Sequence, residues 1–583
     1  MSIRCEINFP LLPTLSDEER LFRSFVDPLR IHEANRQDEV KAVLEAVVAA
    51  GQRGHWCVGF VTHEAAAVFD PAFTTRGHAS GPLAWFAEFA EASEAGLTSP
   101  ANLPEPAFNV SAWQSDVSAE AFAAAVESIR HDIREGRFYQ VNYTTRLHAQ
   151  FSGDALLFYR ALQAAQPRGY HAFIDAGDFQ LLSVSPELFF SLRDGVVTTQ
   201  PMKGTAPRGD TAEQDTALAE YLTHSAKERA ENLMIVDLLR NDLSRVATAH
   251  SVEVPHLFSL HPLPSVWQMT STVRASLRPG LTLSDVFGAL FPCGSVTGAP
   301  KVEAMRAIAE LETSARGVYC GAIGVVAPGG AACFNVGIRS VWLENGNATC
   351  GVGSGITFDS SVEGEAAELV YKARFVQRAS KAFGLFETMR LEDGEVWLLA
   401  RHLDRMENSA RHFRFRFDRD AAMARLNALK EAHPHGIQRC KLVCAPDGAL
   451  TASALPLDAP PEHPQVRLAD SSILSTDEFL QHKTTRRETY ALHAPAAGGA
   501  FDTLLWNERG ELSEFTRANL VLQLGAVRVT PPLHSGLLNG TLRAELLAAG
   551  QIEERILTRD DLQRADAIYW INGLRGEIKV GLS

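Results

Sequence analysis

Short apolar runs alternate along the whole chain with longer stretches in which apolar positions recur every three or four residues. QLLSVSPELFFSL (180–192) and GVVTTQPMKG (195–204) predict strands. KERAENLMIVDLLRNDLSRV (227–246) predicts a helix that buries Leu233, Ile235, Val236, Leu239 and Leu243 and leaves Glu228, Glu231 and Arg240 on other faces. SVEGEAAELVYKARF (361–375) predicts a second helix, with Glu365 and Glu368 three residues apart and able to point the same way. Near residues 378–383 a helix with a basic end gives way to a strand-like FETMRLEDGEVWLL, followed by an amphipathic helix carrying Arg401 and Arg405. The alternation predicts a mixed α/β (α+β) chain, and 583 residues exceed what one core holds, so two domains are expected, 1–378 and 383–583.

Charge and cysteine usage narrow the function. A formal net charge of -15 disfavours nucleic acid and anionic membranes, so an anionic substrate must meet local positive charge. The eight cysteines form no CxxC pair, and no run reaches the roughly eighteen apolar residues of a membrane span, which points to a cytoplasmic protein.

Several segments carry candidate chemistry. Lys203 in PMKGTAPRG comes at the end of a strand-like run and reads as a turn residue; LFPCGSVTGAPK passes Gly294 and Gly298 to Pro300, which suits the first turn of a helix, where exposed amides can hold an anion. Gly353, Ser354 and Gly355 form a second amide-rich place, with Arg339 and Lys372 as nearby cations. The carboxylates at 365 and 368 suit the hard oxygen ligation of magnesium. In order, SPELFF, PMKGTAPRG, ENLMIVDLLRND, GSVTGAPK, RGVYCGAIG, FNVGIRS and GSGITFDS with EGEAAE resemble the chorismate-utilising family that includes anthranilate synthase and aminodeoxychorismate synthase component I. The resemblance is strongest over residues 115–378 and implies the two-sheet fold of anthranilate synthase component I.

The resemblance also implies roles. Glu231, Glu365 and Glu368 match carboxylates that hold Mg2+, while Tyr319, Arg339, Lys372 and the amides of Gly353, Ser354 and Gly355 match the side that binds a chorismate carboxylate. Glu187 matches the general acid that helps the C4 hydroxyl leave. Lys203 stands where synthases that aminate C4 resemble PIKGT and anthranilate synthases resemble PIAGT; it is expected to attack C2, unprotonated. Gln140 replaces the lysine base of water-using relatives, so ammonia is the expected nucleophile, supplied by a separate glutamine amidotransferase subunit because no glutaminase-like segment is found. Gln268 stands where many relatives have histidine.

In the C-terminal half, LQHKTTRRETYALH, LLWNERGELSEFTRANLVL and TPPLHSGLLNGTLRAELL resemble, in this order, fold-type IV pyridoxal 5′-phosphate enzymes, which include branched-chain aminotransferases and aminodeoxychorismate lyase. By that resemblance Lys483 carries the cofactor and moves protons, and Glu514 keeps its ring nitrogen protonated. Arg405, Gly540 and Thr541 hold its phosphate, Asn519 lies beside it, and the group's habit implies a homodimer through this domain. Leu542, where aminotransferases often place threonine, and the ending INGLRGEIKV lean towards lyase. The expected function is two-step synthesis of 4-aminobenzoate for folate. The alternatives are an anthranilate synthase component fused to an aminotransferase, and a non-catalytic C-terminal scaffold.

Overall fold

The computed structural model describes residues 3–10, 20–77, 81–99, 107–208, 212–262, 266–496 and 498–583. The chain divides into two compact units, Met1–Lys381 and Ala382–Ser583.

The first unit is built on two ten-stranded, largely antiparallel sheets. The first places Gln140–Gly153 beside Asn347–Ile356, then Ser340–Glu344, Phe179–Ser185, Tyr170–Asp175 and Arg4–Pro10. The second runs from Met202–Pro207 through Val266–Ser276, Val196–Gln200, Leu188–Arg193, Ala332–Val336 and Ala322–Val326 to Trp56–Val61 and Ala84–Phe89. Side-chain alternation explains why these strands are apolar on both faces. In Trp56–Val61, Val58 and Phe60 join a cluster with Ile7, Tyr170, Ile174 and Leu181 of the other sheet. Cys57 and Val61 face a cluster that takes in Leu44 and Val47 of helix Val40–Gln52 and Ile235 and Leu239 of helix Ala226–Ser244. On the far face of the first sheet, Phe173, Leu182 and Val341 pack on helices Ala155–Ala165 and Val362–Ala379. Two sheets thus lie back to back with helices outside. An aromatic set fixes the spacing between them: Phe179 stacks on Trp342 at 4.3 Å, and both meet Phe60 edge-on at 5.8 Å.

The second unit joins a four-stranded sheet to a small barrel. Leu385–Glu392, the strand expected from FETMR, pairs with Ile437–Cys444 and carries helices Leu399–Phe413 and Arg419–Ala432 on its inner face. In the other sheet, Leu512–Phe515, Asp502–Trp506, Gln465–Leu468, Gly576–Leu582, Ala567–Asn572 and Asn519–Leu524 follow one another, and the first pairs again with the last. That pairing closes six strands around Val466, Leu504, Leu520, Ile568 and Trp570, while Val527–Thr530 and Glu553–Glu554 extend the sheet beyond Asn519–Leu524. Among the described residues no helix is long and apolar enough to cross a membrane.

Candidate active sites

Two links between the sheets deliver chemistry to the first unit. The run 180–192 is two strands, because the chain leaves one sheet at Ser185 and enters the other at Leu188. Pro186, with no N–H to give a ladder, sits at the break, and Glu187 follows it. The return link runs through Arg339, whose φ of 51° lies in the left-handed region that a bulky residue adopts only under tertiary constraint. The links lie side by side: the Val336 N–H donates to the Glu187 carbonyl at 3.0 Å, and the Val184 N–H to the Arg339 carbonyl at 3.0 Å. Glu187 is buried and accepts from Ser295 Oγ at 2.7 Å. Burial raises its carboxyl above the usual range against the pull of Ser295, Lys203 and Lys372, which suits a proton donor.

Lys203 lies in a strand, Met202–Pro207, and not in a turn. Its pairing with Val266–Ser276 slips between Met202 and Thr205, and Gly204 takes φ 98°, so MKGT is a bulge whose glycine mimics a turn signal. Asn232 Nδ2 donates to the Lys203 carbonyl at 3.2 Å, and Gln268 Nε2 to that of Gly204 at 2.9 Å. Gln268 therefore clamps the bulge. The lysine amine is aimed at Asn347–Ile356, where a Cβ built on Gly355 lies 3.0 Å from Lys203 Nζ and 2.6 Å from Gln140 Nε2. Gln140 is fully buried, and among the described residues neither its amide nitrogen nor its oxygen has a hydrogen-bond partner; the same holds for Ser354 Oγ. Each such group costs about 1–3 kcal/mol if left unsatisfied, and the Gln140 amide lies beside Lys203 where a ligand could satisfy it.

Gly351, Gly353 and Gly355 share one face of their strand, which brings neighbours onto the backbone itself. A Cβ on Gly351 falls 2.1 Å from Cγ of the Tyr319 ring. Lys372 Nζ donates to the Gly353 carbonyl at 2.9 Å and pairs with Glu368 at 2.6 Å. Arg339 lies 5.3 Å over the Phe375 ring and, among the described residues, has no ion-pair partner. Burial pulls the pKa of both Arg339 and Lys372 down, in Lys372 against the opposing pull of Glu368.

Glu231 and Glu368 are joined by a carboxylate that the sequence reading set aside. Glu228 is one turn before Glu231 on helix Ala226–Ser244, and its pKa is raised by burial and then by Glu231 and Glu368. The spacing Glu228/Glu231 repeats that of Glu365/Glu368, which was the available signal. Glu365 is buried, and among the described residues its Oε2 has no hydrogen-bond partner. Among the described residues no three such groups converge as a finished metal cage. Mutually repelling acids, one with an orphaned oxygen, are nonetheless the donor set that a hard divalent cation would draw together.

The C-terminal unit holds a cavity of about 360 Å³ between its sheet and its barrel, lined by Arg405, Lys483, Glu514, Asn519, Gly540 and Thr541 among others. Lys483 Nζ stands 4.9 Å over the Phe386 ring; burial, then Arg405, pull its pKa down to about 7. Glu514 is buried and accepts from Tyr490 Oη at 2.7 Å, Asn519 Nδ2 at 3.0 Å and the Leu538 N–H at 3.1 Å. These are neutral donors, and burial pushes its pKa up to about 7, which a cationic pyridine ring would reverse. Asn519 packs so tightly on Gly540 that a Cβ there falls 1.8 Å from its Oδ1. Gly540 caps helix Thr541–Ala548, leaving its first amides at the cavity. Buried Glu387 holds Arg405 at 2.6 Å and His402 Nδ1 at 2.7 Å. Burial would raise this carboxyl, but Arg405 and His402 hold it down at about 2, so the anchor stays ionised. A buried carboxylate, a perturbed lysine and an arginine at a helix start fit a pyridoxal phosphate group.

Comparison with known proteins follows the same division. The model of the family described as chorismate binding enzyme matches residues 26–378. The chain belongs to that family. The class IV amino-transferase model matches residues 384–581 of this chorismate-binding family member. Over 256 residues it is 42% identical to aminodeoxychorismate synthase component 1 of Escherichia coli, covering 44% of this chain and 56% of the relative. It is 37% identical over 267 residues to anthranilate synthase component 1 of Aquifex aeolicus, covering 46% and 54%. The chain thus spans just over half the length of these curated relatives. The crystal structure of anthranilate synthase component I from Streptococcus pneumoniae matches with a TM-score of 0.51 and 28% identity, covering 64% of this chain and 89% of that one.

Three expectations for this family member change. GSVTGAPK lies mostly inside the unit: residues 291–298 are buried, Gly294 abuts Leu238, and Ser295 reaches Glu187. Pro300 caps helix Lys301–Leu311 from outside. Leu233 is 43% exposed, and Asn232 takes the buried position beside it to hold the Lys203 strand. Leu542 packs with Val521, Leu546, Ile552 and Ile571, and Thr541 beside it lines the cavity.

Proposed function

We propose that the chain makes 4-aminobenzoate from chorismate in two steps, the first unit aminating C4 and the second releasing pyruvate. The observation that carries the reading is the aim of Lys203: its amine reaches the glycine-lined strand beside the unsatisfied Gln140 amide and in the field of Glu187. Anthranilate-type amination at C2 has no use for a nucleophile there.

Glu231, Glu365 and Glu368, with Glu228, would hold magnesium, and the bound ion supplies the positive charge that lets a dianionic substrate lie among carboxylates. Arg339, the Gly353 to Gly355 backbone and Lys372 orient the ring. Lys203 Nζ forms a bond to C2, the double bonds shift, and the C4–O bond breaks as Glu187 gives the departing hydroxyl its proton. Ammonia then adds at C4, the bonds shift back, and the C2–N bond breaks to free the lysine. Water is the only by-product. Gln140 cannot activate water, which favours ammonia; a glutamine amidotransferase subunit would supply it, in keeping with the component 1 naming of the relatives.

In the second unit Lys483, Glu514, Asn519, Arg405, Gly540 and Thr541 would hold pyridoxal 5′-phosphate, which when bound supplies an aldehyde for primary amines and a ring that accepts electrons. Lys483, with a pKa near 7, takes the proton from C4 of the aminated ring. The C3–O bond breaks, enolpyruvate leaves and takes up a proton as pyruvate, and the remaining ring is aromatic.

Product analysis with chorismate, magnesium and ammonium tests both halves. 4-Aminobenzoate and pyruvate in equal amounts are expected; anthranilate would refute the first half, and aminodeoxychorismate without pyruvate the second. Without ammonium, mass spectrometry should find chorismate less water on Lys203, and Lys203→Ala should lose both the adduct and the product.

A further inference from the structure

The cavity of the C-terminal unit has a second cationic end that the cofactor residues do not use. Arg439 on strand Ile437–Cys444, Arg517 after Leu512–Phe515, and Arg575 between Ala567–Asn572 and Gly576–Leu582 all line it. Asn572 ties two of them together: its Oδ1 accepts from the Arg575 N–H at 2.8 Å, and its Nδ2 donates to the Arg517 carbonyl at 3.2 Å. Arg517 is paired with buried Asp502 at 3.3 Å. The Arg575 side chain donates to the backbone carbonyl of Asp458. Among the described residues neither Arg575 nor Arg439 is ion-paired with a carboxylate. Burial and Arg517 lower the pKa of Arg575, with Arg439 adding to the effect against Asp458. Three guanidinium groups, of which Arg439 and Arg517 are exposed to solvent, line one cavity with, among the described residues, a single ion-paired carboxylate, Asp502, so an anion entering it meets a positive field.

We infer that Arg439, Arg517 and Arg575 form an anion subsite that selects a cyclic amine bearing two carboxylates remote from the amine. The inference rests on the lyase reading and adds its substrate recognition. An ordinary amino acid carries its α-carboxylate one carbon from the amine, whereas a ring with distant carboxylates must be met by cations set apart from Lys483. Arginine suits this, because its fork engages a carboxylate with two parallel hydrogen bonds.

Calorimetric titration of the full-length, cofactor-loaded protein with isophthalate, a planar dicarboxylate, and with benzoate as the monocarboxylate control tests the subsite. Isophthalate should bind at least about tenfold more tightly, and Arg439→Gln and Arg575→Gln should each weaken it by about tenfold or more, the change expected for one lost charge-assisted hydrogen bond. The cofactor absorption band should persist in both variants and report that they are folded; Arg439→Lys should restore part of the loss. Equal affinity for the two probes, or undiminished isophthalate binding in both variants, overturns the subsite. If isophthalate is preferred but aminodeoxychorismate releases no pyruvate, the lyase reading fails and the subsite stands. If pyruvate is released while the preference is absent, the subsite fails and the lyase reading stands.

Discussion

Replacing Gly355 with alanine puts a methyl group between the two polar side chains on which the first site depends. That carbon lies 2.6 Å from Gln140 Nε2 and 3.0 Å from Lys203 Nζ, against ordinary contact from 3.4 Å, so the amide must retreat by about 0.8 Å and the amine by about 0.4 Å. The amine is the free end of a flexible side chain, so it yields at little cost to stability. Gln140 is buried and has less freedom, which sets the expected loss of stability at about 1–2 kcal/mol, the lower part of the range for overpacking. Catalysis should suffer more, because misplacing a reacting group by about 1 Å can cost 10²-fold. The expected result is a fall in kcat/KM for C4 amination of about 10²-fold with a melting temperature lower by a few degrees. Ammonium-dependent product formation and thermal unfolding of the same preparation measure the two numbers. Unchanged turnover in a folded variant would show that neither Lys203 nor Gln140 attends the reacting ring.

Glu187→Gln should lower kcat/KM by about 10²- to 10⁴-fold, since glutamine accepts the Ser295 hydrogen bond but has no proton to give, and the limb of the pH–rate profile that the wild-type acid produces should vanish. Gln268→Leu removes the bond to the Gly204 carbonyl and should cost about 2- to 10-fold in kcat, the equivalent of one ordinary hydrogen bond, with KM for chorismate nearly unchanged. In cofactor-free protein, Glu514 is raised to about 7 and Lys483 lowered to about 7. Folded protein then binds extra protons at Glu514 between about pH 4.5 and 7, so stability falls as pH rises there; it binds fewer at Lys483 between about 7 and 10.5, so stability rises again. Thermal melts across pH should show a dip near pH 7 that is shallower in Glu514→Gln on the acid side and in Lys483→Met on the alkaline side.

The order of motifs in the sequence revealed the two-part plan, because strands buried on both faces and long helical periods leave strong apolar patterns. Chemistry was less evenly legible. Lys203 and Glu187 were visible as residues, but their aim was not, since it comes from a bulge and from links between two sheets that local pattern cannot reveal. Gly204 was read as a turn because a bulge and a turn demand the same left-handed glycine. Glu228 was passed over although its spacing matched the pair that was chosen, and only the approach of Glu231 and Glu368 singles it out. Arg575 sits in the INGLRGEIKV ending, but Arg439 carried no signal: it lies 136 residues earlier on the four-stranded sheet, and only the packing of that sheet and the barrel around one cavity brings both to it.

Glu187 and Arg339 both ride on links that span the gap between the sheets, so the distance between the proposed proton donor and the proposed substrate anchor is coupled to the thickness of the sandwich. Phe60, Phe179 and Trp342 hold that thickness. The interior of the first unit therefore behaves as the frame of a calliper whose jaws are Glu187 and Arg339. Any change of volume in that aromatic layer is transmitted to both jaws at once.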